Sequence, residues 1–262
     1  MLRFRESDHK YEDIEPSGRI WSSVTSTISK YESSQFDPIA ASEQYVADYR
    51  NKFYGMDPAI VRHIWKEENE RAVKLGKWYH WQRELQDAEY NVCPVRGEWK
   101  YALPQQLEEG IYPEFIVYDT RFNICGQIDR LVVKDGKIFL LDYKSNKELK
   151  TYSKFFMQPP IQGIVDCKFN HYSLQLSMYA TMLLHHNPHL KLGGLEIEHV
   201  RFKVVSRDNF GYPLHWKDEM GNYKVESTTK IPIVYMQKEA MQLMTHNLLM
   251  RKVEQEKKEV NS

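Results

Sequence analysis

The chain has 262 residues, of which 42% are hydrophobic and 13% aromatic, enough apolar side chains to build a substantial core. Basic and acidic residues number 36 each, which excludes a polybasic nucleic-acid binder whose affinity comes from bulk charge. An enzyme with a basic groove around an acidic site remains compatible with this balance. No apolar run is long enough to span a bilayer, so we expect no membrane partner.

The cysteines and the first residues indicate the compartment. Cys93, Cys125 and Cys167 lie far apart and form no C-x-x-C pair, which predicts reduced thiols and no four-cysteine zinc or iron–sulfur site. Residues 1–16 alternate acids and bases without an apolar stretch, unlike a secretory signal, and are too acidic for a mitochondrial presequence. We expect a cytoplasmic protein, from a bacterium or a phage-infected cell.

In chain order, the predicted elements begin with short strands over residues 1–24, broken at Pro16-Ser17-Gly18, and with a hydroxyl-rich helix cap at residues 22–27. Helical patterns cover residues 38–54, 58–90, 172–186 and 236–258. Strand patterns cover residues 111–118, 125–133, 137–144, 195–205 and 231–235. This order predicts one α/β domain over residues 1–262, with a mainly helical N-terminal region (1–110), a core (111–205) and a C-terminal strand and helix (206–262).

The most informative segment is a predicted hairpin over residues 126–144. Asp135-Gly136 is typical of a two-residue type I′ turn, because both central residues of that turn need a positive φ. With this turn, Lys134 faces Lys137. The strands on either side are apolar on both faces, so we expect them to be central and buried.

The same register brings acidic side chains together at the other end of the hairpin. It places Asp129 opposite Asp142, and strand alternation puts Lys144 on the face of Asp142. Two opposed carboxylates in a buried sheet repel each other and need a cation or raised pKa values. Oxygen ligands beside a lysine suit Mg²⁺ or Mn²⁺ with bound phosphate. An isolated acid-x-Lys triplet is usually a solvated surface pair, so this prediction depends on the buried strand end.

Two helical pairs with i, i+4 spacing accompany this site. His80 and Glu84 share a face of the predicted helix 58–90, where Glu84 could orient the imidazole without contacting a metal itself. Gln175 and Tyr179 share a face of the helix predicted over residues 172–186. Each pair alone is more often an ordinary polar edge of a packed helix.

Taken together, these residues resemble the PD-(D/E)XK nuclease superfamily, in particular its RecB-like branch. The branch has G-x-x-x-H on a helix, an acid on a first strand, G-x-x-D on the next, (D/E)-x-K on the third, and Q-x-x-x-Y on a helix. The matching residues here are Gly76 to His80, Glu114, Gly126 to Asp129, Asp142-Tyr143-Lys144 and Gln175 to Tyr179. The chain is similar over roughly residues 20–205 to the group of the mitochondrial genome maintenance exonuclease and its phage-encoded relatives, with a longer segment than expected between Ser145 and Tyr172.

The resemblance implies a restriction-endonuclease-like core, with a central mixed β-sheet flanked by helices, and hydrolysis of DNA. The implied catalytic residues are Glu114, Asp129, Asp142 and Lys144. The implied ligands of Mg²⁺ or Mn²⁺ are His80, Asp129, Asp142 and the Tyr143 carbonyl, and no iron–sulfur cluster is expected. Gln175 and Tyr179 are implied to align the site and contact the nucleic acid.

A lysine-rich stretch follows the predicted site. Residues 144–154 contain four lysines and one acid, which predicts a phosphate track with Ser145, Lys147 and Lys150 as DNA contacts. A solvated loop explains this stretch equally well.

Three functions remain open at this point. The leading hypothesis is a metal-dependent DNA exonuclease acting on single strands or DNA ends, in replication, recombination or repair and with protein partners from those processes. A structure-specific or restriction-like endonuclease of the same fold is the alternative. A non-catalytic DNA-binding subunit is less favoured, because every residue that the resemblance requires is present.

Overall fold

The computed structural model describes residues 1–15, 17–33, 36–87 and 98–260, with the backbone alone for residues 258–260. Pro16, Cys93 and the end of the predicted helix at residues 88–90 lie outside the described residues. Cys125 and Cys167 are buried and free. Among the described helices, none combines the length and the apolar character that crossing a bilayer requires.

The described part of the chain alternates short N-terminal elements with a central group of long strands. The strands are β1 (Leu2–Arg5), β2 (Lys10–Asp13), β3 (Ser22–Ser23), β4 (Lys100–Tyr101), β5 (Gly110–Asp119), β6 (Ile124–Lys134), β7 (Lys137–Lys144), β8 (Lys191–Phe202), β9 (Val204–Arg207), β10 (Pro213–His215) and β11 (Val225–Pro232). The helices are α1 (Val24–Ser29), α2 (Pro38–Ala47), α3 (Pro58–Asp87), α4 (Lys168–His186) and α5 (Gln237–Val260).

The main sheet has the order β11-β8-β7-β6-β3, and β5 also pairs with β6. Strands β5, β6 and β7 form an antiparallel meander, whereas β7 and β8 are parallel and are connected through α4. Parallel neighbours require such a crossover, because the chain must return to the same end of the sheet. The mixed sheet flanked by helices confirms the predicted fold class.

The β6–β7 hairpin forms with the predicted turn and register. Asp135 and Gly136 have φ values of 52° and 67°, and Lys134 pairs with Lys137. The backbone pairing continues to Arg130–Leu141 and ends there, one residue before the two acids of the predicted site.

The main core lies between the sheet and helices α1, α4 and α5. It takes Val24 and Ile28 from α1, Leu174 and Met178 from α4, and Leu243 from α5, all at most 3% exposed. Each fully buried apolar side chain of this size stabilises the fold by about 1.5–3 kcal/mol. The N-terminal and C-terminal segments are therefore packed onto the central sheet.

The boundaries of several elements differ from the prediction. Helix α2 ends at Ala47 and not at residue 54, because Asp48 has extended backbone angles. The strand predicted over residues 231–235 is wrong: β11 runs from Val225 to Pro232 at the edge of the sheet. Its side chains are mostly exposed and polar, so hydrophobic patterning does not detect it. Strands β1 and β2 lie within the short strands predicted over residues 1–24, but the prediction missed β4 and the small sheet β2-β1-β4 that the three form.

Candidate active site

A cavity of about 620 Å³ lies where β6 and β7 stop pairing, between α3, α4 and the N-terminal sheet. Its walls include most of the predicted site residues: His80, Glu84, Glu114, Asp129, Asp142, Lys144, Gln175 and Tyr179. Residues from helix α3 and strands β5, β6 and β7 thus converge on one place in the fold.

Three side chains in this cavity form a group that can bind a metal. One ligand atom each of His80, Glu114 and Asp129 lies within 4.8 Å of the other two. Nδ1 of His80 is 3.5 Å from Oε1 of Glu114 and 3.5 Å from Oδ1 of Asp129. One imidazole nitrogen and two carboxylate oxygens suit a divalent ion such as Mn²⁺. Glu114, which the resemblance implied as a catalytic residue but not as a metal ligand, belongs to this group.

The electrostatics of the group favour a cation. Burial alone would lower the pKa of His80, but the carboxylates of Asp129 and Glu114 outweigh burial and raise it to about 9. Burial also raises the pKa of Asp129, with Glu114 adding to the effect and His80 opposing it. The imidazolium therefore compensates two close carboxylates, and a divalent cation at the same place would compensate them better.

Asp142 and Lys144 form a second pair beside this group. Oδ2 of Asp142 lies 2.6 Å from Nζ of Lys144, and Oδ1 accepts a hydrogen bond of 3.0 Å from Nε2 of Gln175. Burial raises the pKa of Asp142 to about 6, although Lys144 opposes the shift. Burial would lower the pKa of Lys144, but Asp142 and Asp129 outweigh it and raise that pKa. Lys144 is therefore a protonated ammonium next to the candidate metal ligands.

Where the β6–β7 pairing ends, the side chain of Asp129 accepts a hydrogen bond from the backbone of β7. Its Oδ2 accepts a hydrogen bond of 2.6 Å from the backbone nitrogen of Tyr143, which leaves Oδ1 directed at His80. The Tyr143 side chain is buried, and its ring meets that of His80 edge-on with the centroids 5.4 Å apart. Ligation by Asp142 and by the Tyr143 carbonyl remains a prediction.

Glu114 has an unusual backbone conformation within strand β5. Its φ of 51° is in the left-handed region, which is uncommon for residues other than glycine and costs free energy. The pairing with β6 continues on both sides of it, at Pro113–Arg130 and Phe115–Ile128. Gln127, which lies within the G-x-x-D motif, donates a hydrogen bond of 3.3 Å to the Glu114 carbonyl and supports this conformation. The only signal in the sequence is an acid within an otherwise apolar strand.

The two motif glycines allow close packing around the site. A Cβ at Gly126 would lie 2.5 Å from Cε1 of Tyr179, so the tyrosine ring packs directly on the β6 backbone. A Cβ at Gly76 would lie 3.3 Å from Oγ of Ser145, where α3 passes the end of β7. The glycines therefore determine how closely α4 and α3 approach the sheet.

The residues predicted to contact DNA lie in three different places. Gln175 and Tyr179 are 7% and 3% exposed on α4, where the Gln175 amide donates to Asp142 and to the hydroxyl oxygen of Tyr179. Lys147 forms an ion pair of 2.9 Å with Glu68 and, with Ser145, lines a separate cavity of about 390 Å³. Lys150 is exposed beside another cavity, of about 320 Å³. Their contacts with DNA remain predictions, as does the orienting role of Glu84.

The sequence analysis missed one wall of the cavity. Phe4 and Tyr11 of the N-terminal sheet and His9 of the turn between β1 and β2, together with Thr25, line the same space as the acids. The short strands predicted over residues 1–24 include β1 and β2, but the pairing of β1 with β4 joins residues almost a hundred positions apart. No local signal shows that these strands pack beside the acids.

A family model of the PD-(D/E)XK nuclease superfamily matches residues 56–259. The matched region begins just before α3 and contains all the acids, the lysine and the α4 residues of the site. A comparison with curated proteins gives no significant match. Because the family model spans most of the chain, the chain belongs to the PD-(D/E)XK nuclease superfamily, whose members are metal-dependent nucleases.

Proposed function

We propose that this protein is a metal-dependent DNA exonuclease that hydrolyses phosphodiester bonds in single strands or at DNA ends, with Mg²⁺ or Mn²⁺ as its cofactor. The observation that carries the proposal is the group formed by His80, Glu114 and Asp129, with the ammonium of Lys144 beside it in one cavity. Carboxylates that bind a metal, next to a cation that can bind phosphate, supply what metal-dependent phosphodiester hydrolysis uses.

Each side chain has its own part in this chemistry. A divalent cation held by His80, Glu114 and Asp129, with Asp142 adjacent, would lower the pKa of a water and stabilise negative charge on the phosphate. Lys144 holds an anionic oxygen of the scissile phosphate, or orients the attacking water, through its ammonium. Asp142 fixes Lys144 by their ion pair, and Gln175 in turn fixes Asp142.

The finer parts of the proposal rest on the order of the motifs along the chain. The G-x-x-x-H and Q-x-x-x-Y helices support the RecB-like branch and its exonucleases, with a role in replication, recombination or repair and partners from those processes. We also propose one nuclease domain over residues 1–262, because the main core takes side chains from Val24 through Met244. The proposed location is the cytoplasm of a bacterium or a phage-infected cell.

The experiment that tests the exonuclease is a comparison of linear with covalently closed single-stranded DNA in the presence of Mn²⁺. We expect degradation of the linear strand and survival of the circle, because an exonuclease needs an end. Degradation of the circle at the same rate would establish the endonuclease instead. The Lys144→Ala variant controls for contaminating nucleases and should leave both substrates intact.

A further inference from the structure

Two further cavities extend from the catalytic cavity. The first, of about 430 Å³, shares Thr25 and Gln175 with it. The second, of about 320 Å³, shares Glu32, Lys168 and His171 with the first. Because each cavity shares wall residues with the next, the three lie in a row that leads away from the acids, and we call this row the groove.

The far end of this groove exposes aromatic rings. Tyr152 and Phe155 line the last cavity and are 78% and 51% exposed, and the neighbouring Phe156 is 56% exposed. The same segment is firmly attached to the protein, because Met157 and Ile161 are at most 3% exposed in the main core. The rings are therefore exposed to solvent on a segment that is anchored in the core. Exposed apolar surface of this kind is typical of a binding site.

Two lysines of the last cavity are available to contact phosphates. Lys150 and Lys168 line the last cavity and, within the described part of the chain, form no ion pair. The two acids of this cavity both contact one imidazole and neither contacts a lysine: Oδ1 of Asp166 lies 2.6 Å from Nε2 of His171, and Oε1 of Glu32 lies 3.6 Å from Nδ1 of the same residue. The two lysines are therefore left to bind a ligand.

We propose that this groove binds the single-stranded part of the substrate next to the scissile phosphate. Tyr152 and Phe155 stack on bases, and Lys150 and Lys168 contact phosphates. Exposed rings interleaved with lysines bind unpaired strands, whose bases are free to stack on protein, whereas the bases of a duplex are already stacked on each other. The inference rests on the proposed function for the identity of its ligand.

One residue links the groove to the chemistry. The ring of Tyr172 lines the middle cavity, and its centroid lies 4.6 Å from Nζ of Lys144. A strand that follows the groove from Tyr152 would therefore reach the catalytic lysine beside this ring. The longer segment between the lysine motif and α4 thus gains a role in guiding the strand.

The test is the affinity of the full-length protein for a fluorescent oligothymidylate of about 20 nucleotides, measured by anisotropy with Ca²⁺ in place of Mn²⁺. We expect Tyr152→Ala combined with Phe155→Ala to weaken binding by about tenfold or more, since each stacked base is worth about 1–3 kcal/mol. Tyr49→Ala is the matched control, because Tyr49 is also 78% exposed but does not line any wall of the groove. It should change the affinity less than twofold.

A second pair of variants keeps the result independent of folding. Tyr152→Phe combined with Phe155→Tyr retains both rings and should restore wild-type affinity. Lys150→Ala combined with Lys168→Ala should reduce the salt dependence of binding, by about 0.7 in the log–log slope for each phosphate that a lysine no longer neutralises. Wild-type affinity in the Tyr152→Ala/Phe155→Ala variant, or no binding of the oligonucleotide by the wild type, would overturn the inference.

The outcomes also separate this inference from the proposed function. If the wild type binds through the two rings but cleaves nothing with Mn²⁺, the proposed strand-binding groove is supported and the proposed exonuclease activity is contradicted. If the wild type cleaves and the Tyr152→Ala/Phe155→Ala variant binds as well as the wild type does, the proposed exonuclease activity is supported and the proposed strand-binding groove is contradicted.

Discussion

The two ends of the β6–β7 hairpin have the same strands but opposite properties. At the turn, Asp135 and Gly136 close a regular ladder, in which Lys134 and Lys137 form an exposed pair. At the open end the ladder stops, and Asp129 uses its carboxylate to bind the backbone nitrogen of Tyr143. The turn end thus fixes the register of the hairpin, and the open end has side chains that are available to bind a ligand. Substitutions at the turn end should therefore change the stability of the protein, whereas substitutions at the open end should change its cleavage activity.

The largest effect is expected from Lys144→Ala or Asp142→Ala at the open end. Either change should lower Mn²⁺-dependent cleavage by about 10³-fold or more, because it removes preorganised charge at the reacting phosphate. Lys134→Ala, at the turn of the same hairpin, should retain wild-type activity. Steady-state cleavage rates measure the difference, and circular dichroism checks that all three variants fold. Full activity in either open-end variant would contradict the mechanism.

A smaller effect is expected from Gln175→Ala. The glutamine amide orients Asp142 from the neighbouring helix, and partners of this kind typically contribute about 10–100-fold to activity or metal affinity. Gln44→Ala, on the exposed surface of α2, is the control and should leave the rate unchanged. An unchanged rate in Gln175→Ala would show that Asp142 does not need this support.

The glycines of β6 and of the turn provide the mildest comparison. Gly126→Ala pushes a methyl group against Tyr179 and should cost about 1–3 kcal/mol of unfolding free energy and also part of the activity. Gly136→Ala meets no atom within 4 Å, but its φ of +67° should cost about 1–2 kcal/mol with activity retained. Urea unfolding followed by cleavage assays at a temperature where both variants are folded distinguishes the two. Equal losses of activity in Gly126→Ala and Gly136→Ala would contradict the view that only the open end of the hairpin takes part in catalysis.

Much of this site follows from local rules. The turn at Asp135-Gly136 fixes the register, and the register places Asp129, Asp142 and Lys144 in the cavity where the structure has them. The motif order adds His80. Helix α4 and its glutamine follow from the apolar pattern of residues 172–186.

The remaining features depend on contacts between distant residues. Strand register fixes the backbone positions of residues but not the positions of their side-chain ends. It therefore does not show that Asp142 forms an ion pair with Lys144 while Asp129 lies beside His80. The left-handed φ of Glu114 has no signature in its residue type. Lys147 turns away to Glu68 although it lies only three positions after Lys144, because the chain leaves the strand between them.

The central claim is that the open end of the hairpin is a metal-dependent nuclease site. It is tested most directly by digesting 5′- or 3′-labelled single- and double-stranded DNA with the wild type in Mn²⁺, with the wild type in excess EDTA, and with Asp129→Ala in Mn²⁺. The account predicts cleavage in the first reaction and none in the other two. Equal cleavage in EDTA, or by Asp129→Ala, would contradict it.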